Sequence, residues 1–164
     1  MLSSVKKKHL MVITKKQENK IIDDILNLIL IEFKGRTDKG GTHYLVHILH
    51  VASKVHRFGW EYYAAALLHD LIEDTDWTIS LLRKEYPRIP ISIISAVELL
   101  TKCDGVDYEE YIDSITYNRI ARKVKEADLT HNMNVMRLKQ IKPKDIVNLE
   151  KYRVALDRII KFNP

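Results

Sequence analysis

The stretch from Ala64 to Thr78, read Ala-Ala-Ala-Leu-Leu-His-Asp-Leu-Ile-Glu-Asp-Thr-Asp-Trp-Thr, constrains this chain more than any other part of it. An apolar helical run leads straight into a histidine and an aspartate, with Glu73 and Asp74 close behind. Burying an ionised carboxylate without a partner costs several kcal/mol, so such a group needs a metal, a strong pairing or a proton. On a helix His69 and Glu73 are four apart, as are Asp70 and Asp74, which puts the four polar groups on two adjacent stripes pointing the same way. The pattern predicts a site rather than a solvated acidic turn at a helix end. A neutral imidazole beside a carboxylate suits Mn, Fe or Zn, but one His and one Asp fill only part of a coordination sphere. The remaining ligands must come from elsewhere in the chain.

Composition sets the frame for that search. With 164 residues, 46% of them hydrophobic, the chain has apolar material for one core and reads as a single domain. A basic, flexible amino-terminal arm is expected over 1–16, followed by the domain over 17–164. The formal charge of +5 permits nucleic acid but equally suits a small anionic ligand drawn into a basic cleft. Cys103 is the single cysteine, which excludes a disulfide framework or a cysteine-rich zinc module within one chain and makes the cytoplasm the expected compartment. The apolar run from Leu10 to Ile13 is too short for a signal core, and no segment reaches the roughly 18 uncharged apolar residues of a membrane span.

The hydrophobic period is helical throughout. Ile21, Ile22, Ile25, Leu28, Ile29 and Phe33 recur at three and four, predicting a buried first helix over Gln17 to Phe33 that Gly35 ends. Arg36 to Thr42 is a polar loop with Gly40-Gly41 and two cations, Arg36 and Lys39. Further helices are expected from His43 to Arg57, Trp60 to Asp74, Ile79 to Tyr86 with Asp76 or Thr78 as cap, and Ile91 to Thr101. Asp107 to Thr116, Asn118 to Met136 and Lys144 to Ile160 complete the set. No stretch alternates convincingly as a strand, so the predicted class is all-α, one helical bundle with the metal site at a junction of helices.

Candidates for the missing ligands lie on two other helices. The second offers His43, His47 and His50, of which one is expected to face the site. Lys125-Glu-Ala-Asp-Leu-Thr-His-Asn-Met133 sets Asp128 and Asn132 four apart on one face. A His from one helix, the His-Asp pair from a second and an Asp from a third would make a four-ligand set with room for water and a substrate oxygen.

These residues resemble a known family. Tyr44-Leu-Val-His47 followed by Val51-Ala52, then Leu68-His-Asp-Leu-Ile-Glu-Asp-Thr75, then Lys125 to Met133 are similar to the hydrolase motifs of the RelA/SpoT proteins, which belong to the HD-domain metal phosphohydrolases. The resemblance covers roughly Arg36 to Tyr152. It implies an all-helical domain, one Mn ion, and removal of the 3′-pyrophosphate from guanosine tetra- or pentaphosphate by a small alarmone hydrolase, giving GDP or GTP. Carried over by position, His47, His69, Asp70 and Asp128 match metal ligands, and Glu73 and Asp74 match the pair that handles the attacking water. Asn132 matches a residue that helps hold the site, Arg36 and Lys39 lie in the loop that brings cations to the phosphates, and Tyr152 falls where a tyrosine meets the base. His43 stands where a proline is common, and Glu126 replaces the usual leucine. The expected partner is therefore a nucleotide substrate rather than nucleic acid or a membrane. The alternatives are another HD-type nucleotide phosphohydrolase, such as a nucleotidase or dNTP hydrolase, and a slow-turnover nucleotide-binding regulatory module.

Overall fold

The computed structural model describes residues 13–162. Its centre is α3 (Trp60–Leu68), in which every residue from Ala64 to Leu68 is fully buried. The three successive alanines explain why: with no bulk beyond Cβ, they let neighbouring helices approach on several sides at once. α1 (Lys15–Glu32), α2 (Tyr44–Val55), α6 (Ile91–Leu100) and α8 (Arg119–Asn132) all pack against α3. Leu67 and Leu68 follow the alanines into the core, each contributing about 1.5–3 kcal/mol through burial.

The other helices are α4 (Leu71–Asp74), α5 (Ile79–Glu85), α7 (Tyr108–Thr116) and α9 (Pro143–Lys161), with short 3₁₀ turns at His56–Phe58 and Val135–Arg137. Among the described residues there is no strand, only an isolated bridge between Thr37 and His43, so the all-α expectation holds. Thr78 rather than Asp76 caps α5, its hydroxyl accepting from the Leu81 N–H at 3.1 Å.

Two expectations need correction. The first helix opens at Lys15, inside the segment assigned to the basic arm, because Thr14 and Gln17 form a reciprocal capping box that fixes its start. The remainder of that arm, residues 1–12, lies outside the described residues. The stretch from Trp60 to Asp74 is also not one helix. It breaks at His69 and Asp70, where Asp70 takes φ −102° and ψ −1°, and resumes as the single turn of α4. The Ala66 carbonyl, which a continuous helix would offer to the Asp70 N–H, accepts instead from His69 Nδ1 at 2.7 Å. The ring and not the helix ladder takes that bond, and the chain bends at the residues that carry the chemistry.

The loop between α1 and α2 is fastened to the 3₁₀ turn that follows α8. Asp38 accepts from the Gly40 and Thr42 N–H groups, both at 2.9 Å, and pairs with Arg137 at 2.6 Å. A Cβ at Gly40 would overlap the Arg137 carbonyl oxygen, so only glycine allows this approach.

Candidate metal centre

α2, the α3–α4 break and α8 meet at one point, and each delivers part of a single donor set. His47 Nε2 and His69 Nε2 stand 3.2 Å apart. Asp70 Oδ2 lies 3.0 Å from His69 Nε2 and 3.4 Å from His47 Nε2. Asp128 Oδ1 reaches in from α8, 3.4 Å from His47 Nε2 and 3.9 Å from His69 Nε2. The two histidines and Asp128 are at most 4% exposed. Of the histidines on α2, His47 alone faces this centre; His43 caps the helix start without a side-chain bond, and His50 stacks on His131 with centroids 4.0 Å apart.

The tautomers decide what this cluster can hold. His69 donates its Nδ1–H to the Ala66 carbonyl, which leaves Nε2 as a bare lone pair. His47 Nδ1 meets His131 Nδ1 at 2.7 Å, and a proton on the His47 side of that bond bares its Nε2 as well. Burial, followed by the positive Arg137, holds His131 down to about 4, so it is neutral and able to accept. Two lone-pair nitrogens and the Asp70 oxygen lie close enough together to hold a divalent transition ion, and Asp128 Oδ1 stands within 4 Å of both nitrogens as a further donor. Without an ion the same atoms are held by charge: burial pushes His47 down, but Asp128 and Asp70 outweigh it and raise it to about 9. Burial likewise opposes ionisation of Asp70, yet the adjacent His69 and His47 hold its carboxyl well below the usual range. Burial works against an ionised Asp128 too, but Lys125, whose Nζ is 2.9 Å from Oδ2, and then His47 overcome it, and this carboxyl is also lowered. Asn132 Nδ2 donates to Asp128 Oδ1 at 2.6 Å.

Around this centre lies a cleft of about 500 Å³. Glu73 and Asp74 stand on its wall, and burial raises the pKa of both. Glu73 Oε2 accepts from the Lys102 N–H at 3.2 Å. Tyr44 Oη lies 2.8 Å from Asp70 Oδ2 and 2.7 Å from Asp74 Oδ2. A phenol has one proton to give, and the two carboxylates compete for it. Asp70 is held ionised while burial raises Asp74, so Asp74 is the easier of the two to protonate.

The other sequence candidates divide. Lys39, Asn132 and Tyr152 line the cleft together with Asp70, Glu73, Asp74 and Asp128. Arg36 is not on its wall; its guanidinium donates to the Asp74 carbonyl and lies 5.7 Å over the Phe33 ring. Sequence reasoning missed Tyr44, His131, Lys102, Tyr108, Lys125 and Lys151. Tyr44 and Lys125 had a signal, since each stands three residues before a ligand candidate on the same helix. Lys102 and Lys151 had none.

Comparison with known proteins agrees with the site. No family model matches the chain. It is 30% identical over 113 residues to a Haemophilus influenzae protein named guanosine-3′,5′-bis(diphosphate) 3′-pyrophosphohydrolase, covering 63% of this chain and 17% of that one. It is 29% identical over 115 residues to a GTP pyrophosphokinase of Streptomyces coelicolor, covering 63% of this chain and 13% of that one. The chain thus spans less than a fifth of the length of these curated relatives. Its fold matches the solved structure of a metazoan SpoT ortholog described as hydrolysing ppGpp, with a TM-score of 0.69 over 86% of this chain and 85% of that one, at 17% identity. What this likeness shows is the fold, a helical bundle. In sequence the chain is similar, over 63% of its length, to proteins named for the hydrolysis and the synthesis of such nucleotides. Among its described residues no helix is long and apolar enough to cross a membrane.

Proposed function

We propose that the chain hydrolyses the 3′-pyrophosphate of guanosine 3′,5′-bis(diphosphate) and of the corresponding pentaphosphate, with Mn as its ion. The observation that carries this reading is the convergence of His47 Nε2, His69 Nε2, Asp70 Oδ2 and Asp128 Oδ1 at the base of a cleft walled by carboxylates and lysines. These four residues would hold the ion, which when bound lowers the pKa of water toward neutral and neutralises charge on phosphoryl oxygens.

The rest of the chemistry belongs to the chain. Glu73 accepts the proton of the water that attacks the phosphorus joined to the ribose 3′ oxygen, and its raised pKa makes it a better base near neutral pH than an ordinary glutamate. As the bond from phosphorus to the 3′ oxygen breaks, that oxygen needs a proton, and Asp74 supplies the one it shares with Tyr44. Pyrophosphate and GDP, or GTP, are the products. Lys39 offsets charge on the departing diphosphate. Arg36 contributes from the edge by fixing the Asp74 backbone, and Asn132 holds Asp128 in line. Tyr152 presents a ring for the base to stack on.

The test is pyrophosphate release with Mn present from guanosine tetraphosphate, its adenosine counterpart, GTP and a deoxynucleoside monophosphate in parallel. The tetraphosphate of guanosine should be cleaved far better than GTP or the monophosphate. Preference for the monophosphate would assign the chain to the nucleotidases, and turnover of none would make it a nucleotide-binding module.

A further inference from the structure

A second cavity, of about 520 Å³, is as large as the metal cleft and shares no lining residue with it. It lies between α1 and the segments on either side of α5. Ile21 and Ile89 give it buried apolar lining, and Trp77 and Tyr86 add two half-buried rings whose centroids are 5.8 Å apart with planes tilted by 51°. Among the described residues no cation lies over either ring. Trp77 is held in place through its backbone: its N–H donates to Thr75 Oγ1 at 3.2 Å, and that hydroxyl donates to the Leu71 carbonyl at 2.6 Å. The charge of the lining runs against that of the chain. Asp24 and Glu85 outnumber Arg88 here, in a protein of formal charge +5. Among the described residues each carboxylate is met only by an exposed side chain, Asp24 by Arg88 at 2.8 Å and Glu85 by Lys84 at 3.5 Å. Exposed pairs of this kind contribute little and exchange readily for a better-held partner. The Tyr86 hydroxyl feels the balance: burial first, then Asp24, Glu32 and Glu85, raises its pKa. Carboxylates beside uncovered rings and buried isoleucines suit an ammonium on an apolar stem. The stem covers the apolar surface while the charge meets both the π faces and the anions.

We infer that this cavity is a binding site for a small aliphatic diamine, whose methylene stem lies on Trp77, Tyr86 and Ile89 and whose ammonium groups displace Arg88 from Asp24 and Lys84 from Glu85. The site shares nothing with the metal cleft, so it holds whether or not the chain hydrolyses a nucleotide.

Putrescine, butylamine and butanol titrated separately into the purified protein test it, with heat and tryptophan emission followed together. Putrescine should bind most tightly, butylamine more weakly and butanol not at all. Asp24→Asn should weaken putrescine roughly tenfold, the size expected for one charge-assisted contact. Arg88→Gln removes the competitor for Asp24 and should tighten putrescine roughly threefold, a gain that a damaged fold would not give. Glu98→Gln is the control, since Glu98 is exposed on α6 and does not line the cavity; the same loss of charge there should change nothing. Solvent reaches both Asp24 and Arg88, so their variants should fold, which melting temperatures check. No binding of putrescine, or binding that Asp24→Asn leaves intact or that Glu98→Gln weakens equally, overturns the site. Trilysine offers the same ammonium groups on a peptide and should bind less tightly than putrescine; tighter binding of the peptide would overturn the assignment to a small diamine.

Discussion

The two ends of the cleft are built on opposite principles. At the metal end the charged groups are buried or half-buried and engaged: each of His47 and His69 lies within 4 Å of both Asp70 and Asp128, and Lys125, Asn132, Tyr44 and His131 each hold one member by a direct bond. At the other end Lys39 and Lys151 are exposed, Lys102 is half-buried, and none has a carboxylate partner among the described residues. A set of donors whose distances are fixed by three core helices suits an ion, which tolerates little error in ligand position. Cations that still need a partner suit a ligand that arrives and leaves. Removing one member should therefore be ruinous at the first end and graded at the second.

The largest effect is expected from Asp70→Ala. It deletes one ligand and also leaves two inward-facing imidazoles and Tyr44 without the anion that organises them. Metal analysis should find close to one equivalent in the parent protein and close to none in the variant, with hydrolysis falling to background. Equal metal content in both would mean that the four donors are a structural charge cluster, and the contrast between the two ends would vanish.

Glu73→Gln separates holding the ion from using it. Glu73 is next to the donor set but not in it, its one bond among the described residues being to the Lys102 N–H. An amide keeps that acceptor but cannot take a proton. Metal content should stay at the parent level while the rate drops by the roughly 10²–10⁴ typical of a general base. A variant with parental turnover would transfer the proton to Asp74 and Tyr44, whose shared hydrogen bond would then be the working pair.

The same contrast explains what was legible in the sequence. The metal end could be read because its residues sit on helices whose period is set by the core: His47 shares α2 with the buried Ile48 and Val51, and Asp128 shares α8 with the buried Val124 and Leu129. Where the apolar face points, the ligands follow. The break at His69 and Asp70 was not legible, since it depends on one ring nitrogen competing for the Ala66 carbonyl, a choice no periodicity records. Arg36 and Lys39 are three apart in a loop, so spacing could not tell that one faces the cleft and the other turns to the Asp74 backbone. Lys102 and Lys151 are 49 positions apart and share the cleft only through the packing of α9 on α7 and α8; a single lysine on a polar helix face looks like any solvated one.

The smallest of these effects, and the one that sharpens the contrast without mutation, is the pH dependence of stability in metal-free protein. His47 is raised to about 9 in the fold, because Asp128 and Asp70 outweigh the burial that would lower it, against about 6.5 in the unfolded chain. A group whose folded pKa is raised contributes stability that is fully present below the unfolded value and lost as pH climbs through the folded one. The window is therefore pH 6.5 to 9. At about 1.4 kcal/mol per unit the loss amounts to at most about 3.5 kcal/mol, counted once for the coupled His47, His69, Asp70 and Asp128 rather than once per residue. In a chain of this size that is roughly 7–14 °C in melting temperature. Ion binding reverses the sign, because it requires neutral imidazoles and so strengthens over the same window. Melting curves of metal-free and Mn-loaded protein should diverge from pH 6.5 to 9, the first falling and the second flat or rising. Parallel curves would show that the buried histidines hold no proton in the metal-free fold, and that the donor set stays assembled by packing of α2, α3 and α8 alone.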